Sequence, residues 1–264
     1  MDLSKVLLSF GLTFIVGAST ALGSLFSFFV KETNKKILAI AFGFAAGIMI
    51  YASFMSILPE GIELIDEYTG KDIGHIMGMI GFFGGILIIA LIEKLVHSLG
   101  GDHHVHDDLH QGHSTNIGLA SAIGIAIHNL PEGLALFTAG LKDIKVALPI
   151  GIAILIHNIP LGIAISVPMY YSTKSRAKTF IYTLLVGLCQ PLGAIIGYLI
   201  FSNSLNDILF GILFSIIAGI MIFVSIDELL PTAQEYDNHH TPVYGAIAGM
   251  FIMALSLLLF GHHH

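Results

Sequence analysis

Two six-residue stretches in this sequence carry side chains that could together bind a cation. Residues 128–133 read His-Asn-Leu-Pro-Glu-Gly and residues 157–162 read His-Asn-Ile-Pro-Leu-Gly, each inside a long apolar segment. Polar groups in such segments are costly unless they pair, bind an ion or face water. The recurrence of His, Asn, Pro and Gly at identical spacing therefore predicts an ion-binding role.

The first stretch places three potential ligands on one side of a helix. His128 and Glu132 are four residues apart, and Asn129 and Glu132 are three apart, spacings at which helical side chains are neighbours. A histidine nitrogen and a carboxylate oxygen can share one cation. Pro131 lacks an N–H and therefore frees the carbonyl of Ile127 for water or an ion. The alternative reading is a histidine that bonds another helix and a proline that only kinks its own.

The second stretch repeats this design with one difference. His157, Asn158 and Pro160 match the first copy, but Leu161 stands where the first copy has Glu132. The second copy therefore offers a nitrogen and an amide, and no carboxylate.

Four further polar residues in or near apolar segments could serve the same path. Gln190 could supply a carbonyl oxygen, or it could form a simple hydrogen bond between helices. Glu60, Asp227 and Glu228 lie near the ends of apolar segments, where carboxylates could attract or hand over cations. The alternative for these three is an ordinary acidic helix end in contact with water.

The elements that must position these residues are membrane-spanning helices. The chain is 55% hydrophobic and 11% charged, with a mean hydropathy of +0.86, and crossing a bilayer takes about 20 apolar residues. Eight segments qualify, near 3–30, 37–59, 73–97, 116–140, 144–170, 178–201, 206–230 and 242–261. We expect an all-α, polytopic membrane protein in which residues 1–264 form a single eight-helix transmembrane domain. Glycines at small-xxx-small spacing predict a compact bundle.

The distribution of lysine and arginine predicts the orientation, because positive charge collects on the cytoplasmic side. With the N-terminus outside, seven basic residues fall on the inner side and four on the outer side. Both termini are therefore expected outside the cell membrane. The formal net charge of −7 carries no nucleic-acid signature.

Residues 99–115 interrupt the apolar pattern with a histidine-rich stretch. Such composition cannot bury a core, which predicts a disordered cytoplasmic loop. Two readings stay open: a loop that collects or senses metal, since imidazole suits zinc-like ions, and a solvated linker. Its histidines are His103, His104, His106, His110 and His113. Residues 262–264 are three further histidines, either native or the remnant of an affinity tag.

These residues together resemble the ZIP family of divalent metal transporters, particularly its bacterial zinc-uptake branch. The resemblance covers nearly the whole chain: eight segments, a histidine-rich connector after the third, HNLPEG in the fourth and HNIPLG in the fifth. It implies a metal site between helices four and five, with a second metal position completed by helix six. It also implies cation movement into the cytoplasm and both termini outside.

Carried over residue by residue, the resemblance assigns the first metal position to His128, Glu132 and His157. The neighbouring position would draw on Asn129, Asn158 and Glu132. This chain departs from the family pattern twice, because many bacterial members have Glu at the positions that residues 161 and 190 occupy here.

The two departures predict a site for one metal ion. Glu132 is the one anion left among the candidate ligands, and two divalent cations a few ångströms apart repel strongly. The expected shell is His128, Glu132 and His157, with water completing a roughly tetrahedral geometry. Metal loading should weaken as the pH falls, because bound imidazole must be neutral.

The leading expectation is a transporter, and not an enzyme, with the metal as its substrate and no catalytic cofactor. Zinc fits the ligands first, although Fe²⁺, Mn²⁺, Co²⁺ and Cd²⁺ remain open. One alternative is a metal sensor that has lost transport. The other is an intramembrane metalloenzyme, against which stands the lack of an HExxH motif. The expected partners are divalent metal ions and the lipid bilayer, with a homodimer as an open option.

Overall fold

The structure is a computed structural model that describes residues 2–27, 29, 34–100, 114–201, 206–237 and 239–260. It describes the side chains of these residues except 27, 96–100, 114–125, 127, 128, 200, 201 and 260. Within the described ranges every regular element is a helix. The predicted all-α class is therefore confirmed.

Twelve α-helices and two π-helical turns make up the described fold. The α-helices are α1 Leu3–Ala18, α2 Thr20–Ser27, α3 Lys35–Ala52, α4 Leu58–Thr69, α5 Lys71–Gly100, α6 Ser114–Lys142, α7 Ile144–Thr173, α8 Arg176–Gly187, α9 Cys189–Phe201, α10 Asp207–Val224, α11 Leu230–Tyr236 and α12 Thr241–Phe260. The first π turn, Ser53–Ile57, joins α3 to α4, and the second, Ser225–Leu229, joins α10 to α11.

Polar residues begin several of these helices, since the first N–H groups of a helix need an acceptor. Asp2 accepts from the backbone N–H of Ser4 at the start of α1, at 3.0 Å. A hydrogen bond from the Ser4 hydroxyl, together with this one from the backbone, lowers the pKa of the Asp2 carboxyl. Asp143 and Asn206 cap α7 and α10 in the same way.

Seven helical segments among the described residues are long and apolar enough to cross a membrane. They are Leu3–Phe26, Lys35–Thr69, Lys71–Leu95, Ile144–Thr173, Arg176–Leu199, Asp207–Tyr236 and Thr241–Leu259. The chain is thus a multi-pass membrane protein by length and composition. The predicted fourth span, 116–140, coincides with α6, most of whose first half lies outside the described side chains.

Two spans run further than their prolines indicated. The predicted ends at residues 59 and 230 were too early, because the helical chain continues to Thr69 and Tyr236. In each case a π turn comes before the proline, and Pro59 and Pro231 then sit in the first turn of α4 and α11. A proline is tolerated in a first turn because no N–H is needed there.

The two π turns share a serine that bonds back to its own helix. The hydroxyl of Ser53 donates to the carbonyl of Met49, and that of Ser225 donates to the carbonyl of Met221, both at 2.7 Å. A serine that bonds back to the preceding turn often bends a helix in this way. The junctions α3–α4 and α10–α11 therefore share the same local structure, a π turn that begins with a serine and is followed by a proline.

Helices pack in close pairs: α3 along α12, α5 along α10, α6 along α9 and α2 along α7. Glycine allows this proximity, as α5 illustrates. A methyl group at Gly85 would collide with the carbonyl oxygen of Ile216 on α10, whereas one at Gly84 would meet no described atom within 4 Å. Lipid gives helices no hydrophobic reason to associate, so backbone proximity of this kind stabilises the bundle.

Gly85→Ala should therefore lower stability, with Gly84→Ala as the matched control one residue away. The collision forces α5 and α10 apart, and overpacking of this kind costs about 1–3 kcal/mol. Gly84→Ala should leave stability unchanged or slightly raised, because alanine is the better helix former. Thermal unfolding of both variants in detergent measures the difference. Equal melting temperatures for the two would contradict the packing argument.

Candidate metal site

The buried carboxylate of Glu132 lies at the centre of the candidate site. Glu132 projects from α6 with 0% of its surface exposed, and His157 projects from α7 with 1% exposed. The Nε2 atom of His157 lies 3.1 Å from Oε1 of Glu132. Gln190, from the first turn of α9, donates its Nε2 hydrogen to Oε2 of Glu132 at 2.8 Å. Three predicted ligands from three helices therefore meet.

Asn158 extends this polar cluster on the α7 side. Its Nδ2 lies 3.4 Å from Oε1 of Gln190 and also donates to the carbonyl of Val16 on α1, at 2.9 Å. Asn158 and Gln190 are both fully buried. The chain of contacts runs from His157 through Glu132 and Gln190 to Asn158, deep inside the bundle.

Several atoms in this region have no hydrogen-bond partner within the described part of the chain. They are Nδ1 of His157, Oδ1 of Asn158 and Oδ1 of Asn129. Leaving a buried polar atom unpaired costs free energy. Such atoms are suited to accept a water or to bind a cation, so the cluster keeps unused ligand capacity.

The two asparagines also hold the neighbouring helices. Asn129 donates to the carbonyl of Val186 at 2.9 Å, as Asn158 does to Val16. Val16 lies near the end of α1 and Val186 near the end of α8, just before each chain passes into its next helix. Asn129 is thereby placed against α8. Its side-chain amide bonds a backbone carbonyl there and not Glu132.

Glycines of the two motifs let the backbones approach. A methyl group at Gly133 would collide with the carbonyl oxygen of Gln190, and one at Gly162 with that of Thr20. The close approach of α6 and α9 explains how the amide of Gln190 reaches Glu132.

Leu161 holds the position in the second motif that matches Glu132 in the first. It is fully buried and belongs to the main hydrophobic core. The second motif therefore brings an apolar side chain where the first brings a carboxylate.

A cavity lies beside His157, between α3, the first π turn, α7, α10 and α12. Its walls are apolar apart from His157 and Ser56, and three of them are methionines: Met49, Met221 and Met253. The sequence analysis missed these four neighbours of the site. A methionine inside an apolar span looks like any other core residue in the sequence. The one available signal was weak: a serine precedes each of the two Leu-Pro pairs, Leu58-Pro59 and Leu230-Pro231.

The remaining acidic residues lie away from the cluster, towards opposite ends of the bundle. Glu60 is in the first turn of α4, while Asp227 and Glu228 are in the second π turn, beyond α10. α4 runs antiparallel to α10, as the contacts of Gly61 with Ser215 and of Tyr68 with Asp207 show. Ser215, which lies beside Gly61, precedes Asp227 by 12 residues, and at about 1.5 Å per residue this is about 18 Å along the helix.

Some predicted residues fall outside the description. The backbone of residue 128 is part of α6, but the side chain of His128 is among those not described. The loop histidines also lie outside the described residues: His103, His104, His106, His110 and His113.

Comparison with known sequences identifies the family. The family described as ZIP Zinc transporter matches residues 3–121 and 101–257. The chain is 50% identical to "Zinc transporter ZupT" of Streptococcus mutans over 256 residues, covering 96% of this chain and 97% of that one. It is 45% identical to "Zinc transporter ZupT" of Clostridium perfringens, covering 98% of both. These matches confirm the resemblance drawn from the paired motifs, and the chain belongs to the ZIP zinc transporter family.

Proposed function

We propose that this protein transports zinc across the cell membrane into the cytoplasm through the cluster around Glu132. The observation that supports this most directly is the buried contact between Glu132 and His157, joined by Gln190. A carboxylate and an imidazole with a free ring nitrogen, buried together in a multi-pass membrane protein of this family, suit a divalent cation.

The proposed shell consists of Glu132, His157 and His128, with water as a fourth ligand. His128 lies one helical turn before Glu132 on α6, the spacing at which two side chains can share an ion. Glu132 is its one carboxylate, and Leu161 adds none. A second divalent ion beside the first would bring positive charge that nothing in this shell offsets, so one ion is bound at a time.

Binding and release depend on the hydrogen bonds around Glu132. A cation that binds this carboxylate competes with Nε2 of His157 at Oε1 and with Nε2 of Gln190 at Oε2. This competition weakens binding, and a transporter must bind its ion weakly enough to let it go.

The wider arrangement extends this proposal. α6 is the fourth of eight spans, both termini lie outside, and the ion enters at the Glu60 end and leaves at the Asp227 and Glu228 end. Fe²⁺, Mn²⁺, Co²⁺ and Cd²⁺ are alternative substrates because the same ligand types accept them. Membership of a transporter family favours this function over an intramembrane metalloenzyme.

Glu132→Gln should abolish zinc uptake into proteoliposomes and reduce zinc affinity by more than about tenfold, because it removes the negative charge and keeps the shape. Initial rates with radioactive zinc and calorimetric titration measure the two effects. Glu67→Gln is the matched control, since Glu67 is an exposed carboxylate on α4, and it should behave like the wild type. Normal uptake by Glu132→Gln, with the protein folded, would refute the proposed site.

Leu161→Glu should raise the zinc stoichiometry from one ion to two per chain. The new carboxylate would give the second motif the charge that Glu132 gives the first, and it would offset part of the repulsion between two ions. Elemental analysis of purified protein at saturating zinc counts the ions. Leu161→Gln adds similar volume without charge and should still hold one ion. Two ions on the wild-type protein would contradict the single-metal assignment.

A further inference from the structure

We propose that Lys142 is a tethered cation that competes with the transported metal for Glu60 at the mouth of the path. This inference rests on the proposed function, because it assigns a role in access to the same site.

The cavity beside His157 extends towards one end of the bundle. Its walls on α7 are Ile150, Ala153 and Ile154, which all precede His157 in the chain. α7 begins at Ile144, directly after the turn that follows Lys142. The cavity therefore extends from the candidate metal site towards the end of the bundle where Lys142 lies.

Glu60 stands at this same end, one helical turn beyond the cavity. Ser56 forms part of the cavity wall, and Glu60 follows it by four residues along the continuous π turn and α4. A carboxylate at this place, one helical turn from the cavity wall, is available to a cation that moves towards Ser56 and His157.

The carboxylate of Glu60 already forms an ion pair with an ammonium group. The Nζ of Lys142 lies 3.9 Å from Oε1 of Glu60, and the two side chains are 31% and 26% exposed. The partial burial reduces the screening of this pair by water and salt. An incoming divalent cation must displace the ammonium before it can use Glu60.

Lys142 is held in a defined place rather than on a free loop. It is the last residue of α6, the helix that carries Glu132, and its carbonyl accepts a hydrogen bond from Nζ of Lys5 at 3.3 Å. Glu60 belongs to α4, which packs against α5 and α10. The ion pair therefore links α6, which carries Glu132, to α4, which packs against α5 and α10.

Asp227, towards the opposite end of the bundle, differs from Glu60 in this respect. It is exposed in the second π turn, and within the described part of the chain no ion pair joins it to a lysine or arginine. Asp227 therefore has no counterpart of the ion pair between Lys142 and Glu60.

Lys142→Met should lower the apparent KM for zinc uptake by about two- to fivefold, the range that corresponds to a partly exposed ion pair. Removing the ammonium leaves Glu60 available to the incoming ion. Lys145→Met is the matched control, because Lys145 is an exposed lysine three residues away at the same end. Initial uptake rates in proteoliposomes, measured against zinc concentration, give the KM of each variant.

A double-mutant cycle separates the specific pair from general electrostatics. In a Glu60→Gln background, Lys142→Met should no longer change the KM, and Lys142→Arg alone should keep the wild-type value or raise it. An unchanged KM for Lys142→Met, an equal shift for Lys145→Met, or the same shift without Glu60 would each overturn the inference. No zinc uptake by the wild-type protein would instead overturn the proposed function, and this inference with it.

Discussion

A single buried carboxylate constrains the architecture of the bundle. Glu132 has no exposed surface, and an anion in such surroundings is tolerated when it is paired and fully hydrogen-bonded. His157 and Gln190 meet this requirement, and they come from two other helices. α6, α7 and α9 must therefore stay in register with one another, and the glycines of α6 and α9 allow their backbones to approach closely enough for the amide to reach.

The hydrogen bonds of Glu132 bear on the balance that a transporter requires. Each oxygen of this carboxylate has a protein partner, and a cation that binds the carboxylate competes with those partners. The contacts that stabilise the buried carboxylate would thus also limit how tightly it holds a substrate ion.

Much of this site could be predicted from the sequence because its residues recur in pairs. The spacing of His, Asn, Pro and Gly marked α6 and α7 before any contact was known, and the contact between His157 and Glu132 agrees with it. The helix ends at Pro59 and Pro231 were misjudged, since a π turn that carries a helix past a proline depends on backbone bonding that residue types do not reveal. The three methionines that line the cavity could not be predicted from the sequence either, because methionine also fills ordinary apolar cores.

The two asparagines of the motifs make equivalent contacts with two different neighbouring helices. Asn129 bonds the chain before the break between α8 and α9, while Asn158 bonds the chain before the break between α1 and α2. The two motifs are therefore related by an approximate internal twofold symmetry between α6 and α7, because each makes the same kind of contact with its own neighbour. The charges of the two motifs break this symmetry, since Glu132 in the first corresponds to Leu161 in the second. An ion bound at the proposed site would therefore lie off this axis, on the side of Glu132, and its arrival or departure would load the two halves of the bundle unequally.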